Sequence, residues 1–567
     1  MKKTLIRPIS LFAFSSVVSV GTLLLYNIPF FSYVADSTNE ALGGKALLLS
    51  SLVVIMLALN FMTAYLTVFL LRIVGRILLA ILSLINATAL YFIITYNVII
   101  DATTIENVFN TRYSEASAFF CPTLALFIVV VGLLPALYCL LQPVVMGSAK
   151  RMGLYCGSAL AIALLAASLN ISQTLWITQH DTELGGLLQP WSYIVNTCRI
   201  LSSRQDQNAE EIKLPDGTIA DHEKAVVILV IGESARKANF QLYGYQRDTN
   251  PLLSKQQGLK VYEATSCATY TTAGTKAILE PKNSDQLYEL LPNYAFRTGV
   301  DVSWRTSNWG EPPIHIDEYL TDTQLAETTA HVGTRRVASD SVPGRENGRD
   351  TSQGNGRDTS QGNGRDTSQG NGRDTSRPYD GILFAGLRER IESSNKDKVL
   401  IILHTSTSHG PKYADKYPEQ FQVYKPVARN VEEGQKDIPR LINAYDNTIR
   451  YTDFLLDSLI NTLRAMKDRN SALIFISDHG ESLGENNIFM HGLPMKLAPK
   501  VQYEIPFIVW VSDGFRTYKK TSAGEKAPAG QLPPVLDQHY VFHSVLNLLS
   551  IQSPAYDKDL DIFELVP

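Results

Sequence analysis

Ala472-Leu-Ile-Phe-Ile-Ser-Asp478-His479-Gly-Glu-Ser-Leu-Gly-Glu-Asn-Asn-Ile-Phe-Met-His491 is the stretch on which the fold turns. Its first part, Leu473 to Ile476, is a short apolar run, the pattern of a strand buried on both faces of a parallel sheet. The run stops at Ser477 and delivers a carboxylate and an imidazole side by side, Asp478 and His479. Open α/β sheets place their ligands beyond the carboxyl ends of such strands. Asp oxygen and His nitrogen are ligand types that hold zinc. Gly480 and Gly484 permit tight turns, and His491 returns a second imidazole to the same neighbourhood.

Working outward, two further apolar runs end in the same way. Ala225–Ile231 is followed by Gly232-Glu233-Ser234, and Val399–Leu403 by His404-Thr-Ser-Thr-Ser-His409-Gly410. Three buried strands that each finish in a metal or phosphate ligand are hard to obtain from packing alone. Alternating strand and helix patterns from Ala225 onward predict a parallel sheet with helices on its faces. Glu233, Asp478 and His479 offer three zinc ligands and leave a position for a reacting group. A hydroxyl nucleophile would need a metal to lower its pKa. Thr265-Ser-Cys-Ala-Thr269-Tyr-Thr271-Thr272-Ala-Gly-Thr275 supplies four candidates after Cys267, and composition does not select among them.

The N-terminal third has a different character. Five apolar stretches, near Ile9–Phe31, Ala46–Leu71, Ile77–Val98, Ala118–Val145 and Leu154–Ile171, meet the length of about 20 residues needed to cross a bilayer. Lys2, Lys3 and Arg7, then Arg72 and Arg76, then Lys150 and Arg151 fall on one side of these spans, which predicts that side to be cytoplasmic. An odd number of spans puts everything after residue 175 outside. No Ala-x-Ala-like site follows the first stretch, so an anchor is expected rather than a removed signal peptide. No span carries an ionisable residue near its centre, which argues against a pump or channel. The connection Asn97–Ser117 is amphipathic and is expected either to lie on the outer membrane surface or to be an ordinary loop.

The organisation predicted is therefore a transmembrane domain over 1–175, a tether over 176–222 and an external catalytic domain over 223–567. Gly185-Gly186, Pro190 and the polar run from Ser202 to Glu211 mark the tether. Inside the external part, Gly-Arg-Asp-Thr-Ser-Gln-Gly-Asn repeats three times between Gly348 and Ser376 and begins a fourth copy. Nothing in it can be buried, so a disordered insertion is expected at about 344–377. The chain of 567 residues has a formal net charge of −4 and no long basic run, which excludes a nucleic-acid partner as the organising theme. Of its five cysteines only Cys198 and Cys267 lie outside apolar segments, so at most one disulfide is available there, and their pairing is left open.

The chain resembles the bacterial phosphoethanolamine transferases of the alkaline phosphatase superfamily, which modify lipid A and lipopolysaccharide core. The resemblance covers nearly the whole length. Its carriers are Val-Ile-Gly-Glu-Ser-Ala-Arg (230–236), Gly-Tyr-Gln-Arg-Asp-Thr-Asn-Pro (244–251), Ser-Cys-Ala-Thr-Tyr-Thr (266–271), Leu-His-Thr-Ser-Thr-Ser-His-Gly-Pro (403–411), Ile-Asn-Ala-Tyr-Asp-Asn (442–447) and Ser-Asp-His-Gly-Glu-Ser-Leu-Gly-Glu-Asn (477–486). The resemblance implies an α/β fold: a five-helix transmembrane domain followed by an alkaline-phosphatase-like α/β/α sandwich. It also implies Thr271 as nucleophile and zinc ligands at Glu233, Thr271, Asp478 and His479. His409 and His491 would bind substrate phosphate or a further zinc, and Asn308 would contact the phosphoethanolamine group. The implied donor is phosphatidylethanolamine, and the implied place is the bacterial inner membrane with the catalytic domain in the periplasm.

The sequence departs from that family around the acceptor side. Ala268 replaces a Gly, and Ala-Gly-Thr-Lys-Ala277-Ile replaces the usual Ser-Val-Pro-Cys-Met-Phe, so Cys267 lacks its common disulfide partner. A Lys that often follows the Asn308 position is missing, and Pro312 and Pro313 occupy the region. Lipid A phosphate, a core sugar, another glycan or a surface protein all remain as acceptors. A phosphoglycerol transferase would share the same anchor, zinc and threonine. A periplasmic sulfatase would need a Cys/Ser-x-Pro-x-Arg motif that is absent, and a non-enzymatic sensor would be expected to have lost ligands.

Overall fold

Four helices of the N-terminal part are long and apolar enough to span a bilayer: Leu42–Leu71, Ile73–Tyr96, Pro122–Leu141 and Ala149–Ser168. The structure is a computed structural model and describes residues 7–38, 42–110, 116–117, 119–170, 173–206, 211–284, 286–333, 378–517 and 532–565. The octapeptide repeat lies outside the described residues. A fifth span exists only as a bent pair, Leu11–Tyr26 and Ile28–Ser37, which meet at 59°. The straight span expected at Ile9–Phe31 is thus broken, and Asn27 explains how. Its backbone leaves the helical region, Pro29 sits in the first turn of the next helix, and its side chain is turned to the chain at Gln189. Asn27 Nδ2 donates to the Gln189 carbonyl at 3.0 Å, and the Gln189 N–H donates back to Asn27 Oδ1 at 2.9 Å. In an apolar surrounding, such mutual satisfaction is what makes a helix break tolerable.

The same contact changes the reading of the tether. Residues 176–222 are largely helical in their first half, in Thr174–Gln179, Asp181–Leu187 and Trp191–Asp206. Leu187 and Ile200 are buried with Val34, Leu48, Ile100 and Ile105. Gly186, which marks the tether in the sequence, lies inside a helix, and its missing side chain permits close packing on Ile99, since a Cβ there would meet Ile99 Cγ2 at 2.2 Å. The amphipathic connection contains the helix Ala102–Asn110, which buries Ile105 and leaves Val108 and Phe109 exposed. Across the junction, Tyr96 Oη donates to Glu432, Asn97 Nδ2 to the Asn487 carbonyl at 2.6 Å, and Gln435 Nε2 to the Thr95 carbonyl at 2.5 Å.

Beyond the junction, seven strands form one sheet: β1 (Ala225–Gly232), β2 (Leu259–Thr265), β3 (Asp301–Thr306), β4 (Glu318–Thr321), β5 (Lys398–His404), β6 (Asn470–Ser477) and β7 (Glu504–Val511). The order is β2-β7-β6-β1-β5-β3-β4. All neighbours pair parallel except β7, which is antiparallel to both β2 and β6. Strand residues alternate between the two faces. Val226, Ile228 and Val230 face a core closed by the helix Ile438–Ala465 through Tyr445, Ile449 and Leu456. Val227, Leu229 and Ile231 face the opposite core with Tyr294, Val541 and Phe542. This is an α/β/α arrangement in which β1 is buried along its whole length. The register aligns Gly232 with Ser477, and Ile231 and Thr306 with His404, so the ligand-bearing strand ends finish level.

Candidate active site

The level strand ends bring Glu233, His404 and Asp478-His479 to one point, where all four side chains are buried. Opposite them begins the helix Thr271–Leu279, with Tyr270 in extended conformation before it. This helix lies against Asp478 itself: a Cβ on Gly274 would meet the Asp478 carbonyl oxygen at 2.2 Å. The missing side chain therefore sets the closest approach between the two. As a result, Thr271 Oγ1 lies 3.2 Å from Glu233 Oε2 and 3.3 Å from His479 Nε2. The other three hydroxyls of the Thr-rich segment do not share these contacts. Thr269 Oγ1 donates to the Leu493 carbonyl at 2.6 Å, and the side-chain oxygens of Thr272 and Thr275 are buried without a hydrogen bond among the described residues.

The charges around Thr271 are tightly coupled. His479 Nδ1 faces the Gly480 carbonyl at 2.9 Å, which only accepts, so this nitrogen carries the proton and Nε2 is turned to the acids. Nε2 is 3.3 Å from Glu233 Oε1 and 3.5 Å from Asp478 Oδ2. Burial alone would raise Glu233, but the hydrogen bond and charge of His479, with His409 and His491 behind it, hold it well below the usual carboxylate range. Burial, and then the charge of Glu233, push Asp478 up to about 7. Burial works against charge on His479, yet Asp478 and Glu233 raise it to about 10. Two acids this deep call for a cation between them.

The side chains fit a metal ion in that place. Asp478 Oδ1 accepts from the backbone N–H groups of Ser234 (3.1 Å) and His479 (2.7 Å), which orients the carboxylate. Its Oδ2 is buried with no hydrogen bond among the described residues. Ligand atoms of Glu233, His404 and Asp478 lie within 4.8 Å of one another, and so do those of Glu233, His409 and His491. The His491 ring is 4.2 Å from that of His479 and 5.5 Å from that of His409, centre to centre. All the side chains expected from the sequence as ligands or phosphate contacts thus converge. Asn308 converges too, but its side chain is engaged within the protein. Its Nδ2 is 2.5 Å from Glu233 Oε2, 3.0 Å from His404 Nε2 and 2.9 Å from the Thr405 carbonyl, and its oxygen accepts from Trp309 N–H.

Three acidic or basic partners were not in the sequence-derived set. His404 joins Glu233 and Asp478, and its Nδ1 meets Glu311 Oε1 at 2.9 Å. Burial disfavours its charge, but Glu311 raises its pKa. Glu481, buried three residues after Asp478, lies 3.3 Å from His491 Nδ1, and burial pushes it up to about 8. For His404 a signal existed, since it terminates β5. For Glu311, in the loop that departs from the family, there was none. Cys198 and Cys267 are both free, and Cys267 Sγ instead lies 3.7 Å from His539 Nδ1.

A family model described as Sulfatase matches residues 225–551, and one described as Phosphoethanolamine transferase EptA/EptB matches residues 55–205. Phosphoethanolamine transferase EptA of Helicobacter pylori is 34% identical over 569 residues, spanning 99% of this chain and 98% of its own. The chain belongs to the phosphoethanolamine transferase family. Within it, EptA of Escherichia coli K12 is 28% identical over 589 residues, with 100% of this chain and 98% of the relative covered. The solved structure of lipooligosaccharide phosphoethanolamine transferase A (EptA) from Neisseria meningitidis superposes with a TM-score of 0.79, over 97% of this transferase and 98% of that chain at 24% identity. The likeness extends the shared fold across both the apolar helices and the sheet domain. The transferase is thus an enzyme with a membrane-associated N-terminal part and an α/β catalytic part.

Proposed function

We propose that this transferase moves phosphoethanolamine from phosphatidylethanolamine to lipid A or lipopolysaccharide core in two displacements through Thr271, with zinc held by Glu233, Thr271, Asp478 and His479. The observation that carries the reading is the position of Thr271 Oγ1, 3.2 Å from Glu233 and 3.3 Å from His479 at the start of a helix. The names of the relatives support the donor and the acceptor class. Zinc, when bound, would lower the pKa of the threonine hydroxyl and offset charge on the phosphoryl oxygens. Every other part falls to the chain.

In the first displacement a bond forms between Thr271 Oγ1 and the donor phosphorus, and the phosphorus–oxygen bond to diacylglycerol breaks. The proton that Thr271 gives up is balanced by the one the diacylglycerol oxygen takes up, with His409 and His491 as the imidazoles at hand. The N–H groups of the first turn of Thr271–Leu279 favour the negative phosphoryl group held there. In the second displacement an acceptor oxygen attacks the phosphothreonine, and Thr271 recovers its proton. Asn308 acts as a positioning residue that holds Glu233 toward the nucleophile, and Glu311 does the same for His404. The division into a transmembrane domain, a collar after residue 175 and a catalytic domain from about 223, with Lys and Arg on one side of the spans, supports an inner-membrane enzyme working in the periplasm.

Incubation with phosphatidylethanolamine and no acceptor should add a phosphoethanolamine mass to the peptide Thr265–Lys276, with fragmentation placing it on Thr271. Thr271→Ala should show neither the adduct nor transfer. Modification of Thr269 or Thr272 instead would refute the choice of nucleophile, and wild-type transfer by Thr271→Ala would refute the covalent route.

A further inference from the structure

Ser234, the residue after Glu233, is fully buried and has a φ of +52°. An L side chain is disfavoured in that left-handed region, which glycine enters freely. A strained non-glycine residue persists where its surroundings over-determine it, and such residues cluster at functional sites. The surroundings of Ser234 do fix it. Its carbonyl accepts from Tyr445 Oη at 2.6 Å, and the same oxygen of Tyr445 accepts from the Arg236 N–H at 2.9 Å. Between them, the Ala235 N–H donates to Ser477 Oγ at 2.9 Å. The turn is thus bolted to the helix Ile438–Ala465 on one side and to the last residue of β6 on the other.

The two remaining polar groups of Ser234 reach the two buried acids. Its Oγ donates to Glu233 Oε1 at 2.6 Å, and its backbone N–H donates to Asp478 Oδ1 at 3.1 Å. Each contact takes up one oxygen of a carboxylate. Left over are Glu233 Oε2, 3.2 Å from Thr271 Oγ1, and Asp478 Oδ2, which has no hydrogen bond among the described residues. One residue therefore orients two acids that stand at the ends of different strands, β1 and β6. The hydroxyl also faces His491 Nδ1 at 3.5 Å, where it can only accept, because its proton is committed to Glu233. Glycine at this position would keep the backbone shape and the N–H but lose the hydroxyl. Alanine would lose the hydroxyl and keep the strain.

Resting on the zinc reading above, we propose that Ser234 is a positioning residue for the metal: its hydroxyl and N–H together hold Glu233 and Asp478 as ligands, and the hydroxyl bond to a charged group offsets the left-handed backbone. Removing an outer partner of this kind weakens metal binding by about 10–100-fold. Stability and affinity then come apart. Affinity follows the hydroxyl, whereas backbone strain follows the Cβ.

Zinc affinity of the full-length protein in detergent, measured by competition with a chelator, and melting of the metal-free protein test this together. Ser234→Ala and Ser234→Gly should each bind zinc about 10–100-fold more weakly than wild type. Metal-free Ser234→Gly should nevertheless melt above metal-free Ser234→Ala, since glycine suits a φ of +52°. A residue that merely shapes the turn would give another pairing, with glycine restoring affinity along with melting. That pairing, wild-type affinity in either variant, or a glycine variant that melts no higher than the alanine one would overturn the proposal. If Ser234→Ala does not fold, Ser234→Gly against wild type decides it by affinity alone. Zinc absent from the wild type, or held in full by Asp478→Ala, would instead refute the zinc reading itself, and this role of Ser234 with it.

Discussion

Gly274→Ala gives the sharpest test of how the nucleophile is placed. Alanine is favoured over glycine inside a helix by about 1 kcal/mol, so on propensity alone the change should stabilise the protein. Geometry says the opposite. The new methyl group would stand 2.2 Å from the Asp478 carbonyl oxygen and 2.8 Å from its carbon. Both are backbone atoms at the end of a central strand and cannot swing aside, so helix Thr271–Leu279 must retreat by about 0.8 Å or more to reach even a tight contact of about 3 Å. Gly274 is one turn from Thr271, too near for the shift to dissipate. The contacts of Thr271 Oγ1 with Glu233 and His479, now 3.2 and 3.3 Å, would be lost as hydrogen bonds. Misplacement of a reacting group by about 1 Å costs on the order of 100-fold in rate. Overpacking costs about 1–3 kcal/mol, which exceeds or cancels the propensity gain. Transfer measured by mass spectrometry of the lipid product should therefore fall about 100-fold, with a melting temperature equal to or below wild type. A faster-melting but fully active variant would separate stability from placement. One that transfers at the wild-type rate and melts higher would refute the reasoning outright.

Asp478→Ala and His479→Ala should each lose bound metal, read by elemental analysis of the purified protein, together with activity; full occupancy with full activity would remove both from the site. Deleting Gly348–Asn371 should leave transfer and melting nearly unchanged, because the repeat offers no apolar side chain and loop-closure entropy varies slowly with length; a large fall in either would contradict this. Burial works against charge on His539, but Asp537, Cys267 and Glu280 raise its pKa from 6.5 to about 11. A raised histidine contributes in full below 6.5 and loses its contribution as pH climbs toward about 11, so the melting-temperature gap between wild type and His539→Gln should narrow above pH 6.5. A gap that widens with pH would reverse the assignment.

The catalytic sheet was legible because three strands are buried on both faces and write their length directly as apolar runs. Their ends were legible for the same reason, since each run gives way within two residues to Glu233, His404 or Asp478 at or just beyond the sheet edge. Strand β7 was harder to see because Pro506 interrupts it. The structure accommodates that proline by starting the ladder with β6 at Phe507, so only the β2 side pairs at Pro506. Glu311 and the inward turn of Asn308 depend on a loop whose path no periodicity records. Local punctuation also misled. Gly185-Gly186 marks a tether in the sequence yet lies within a helix, where Gly186 packs closely against Ile99, whereas Asn27 sits inside an apolar stretch yet breaks the helix because Gln189 satisfies it. Only tertiary contacts distinguish them.

The hydrogen bonds that join Thr95, Tyr96 and Asn97 to the catalytic domain also fix an altitude. A domain on a loose leash would sample a hemisphere above the bilayer and meet each lipid headgroup only in passing. One clamped at the end of a helix long and apolar enough to span a bilayer keeps its reactive centre at a single height. Molecules anchored in that leaflet are then delivered by lateral diffusion alone, and confinement to a plane raises their effective concentration at the site without any further binding contact. On the proposed function, the clamp would act as a ruler, selecting substrates by where their headgroups ride before any side chain has touched them.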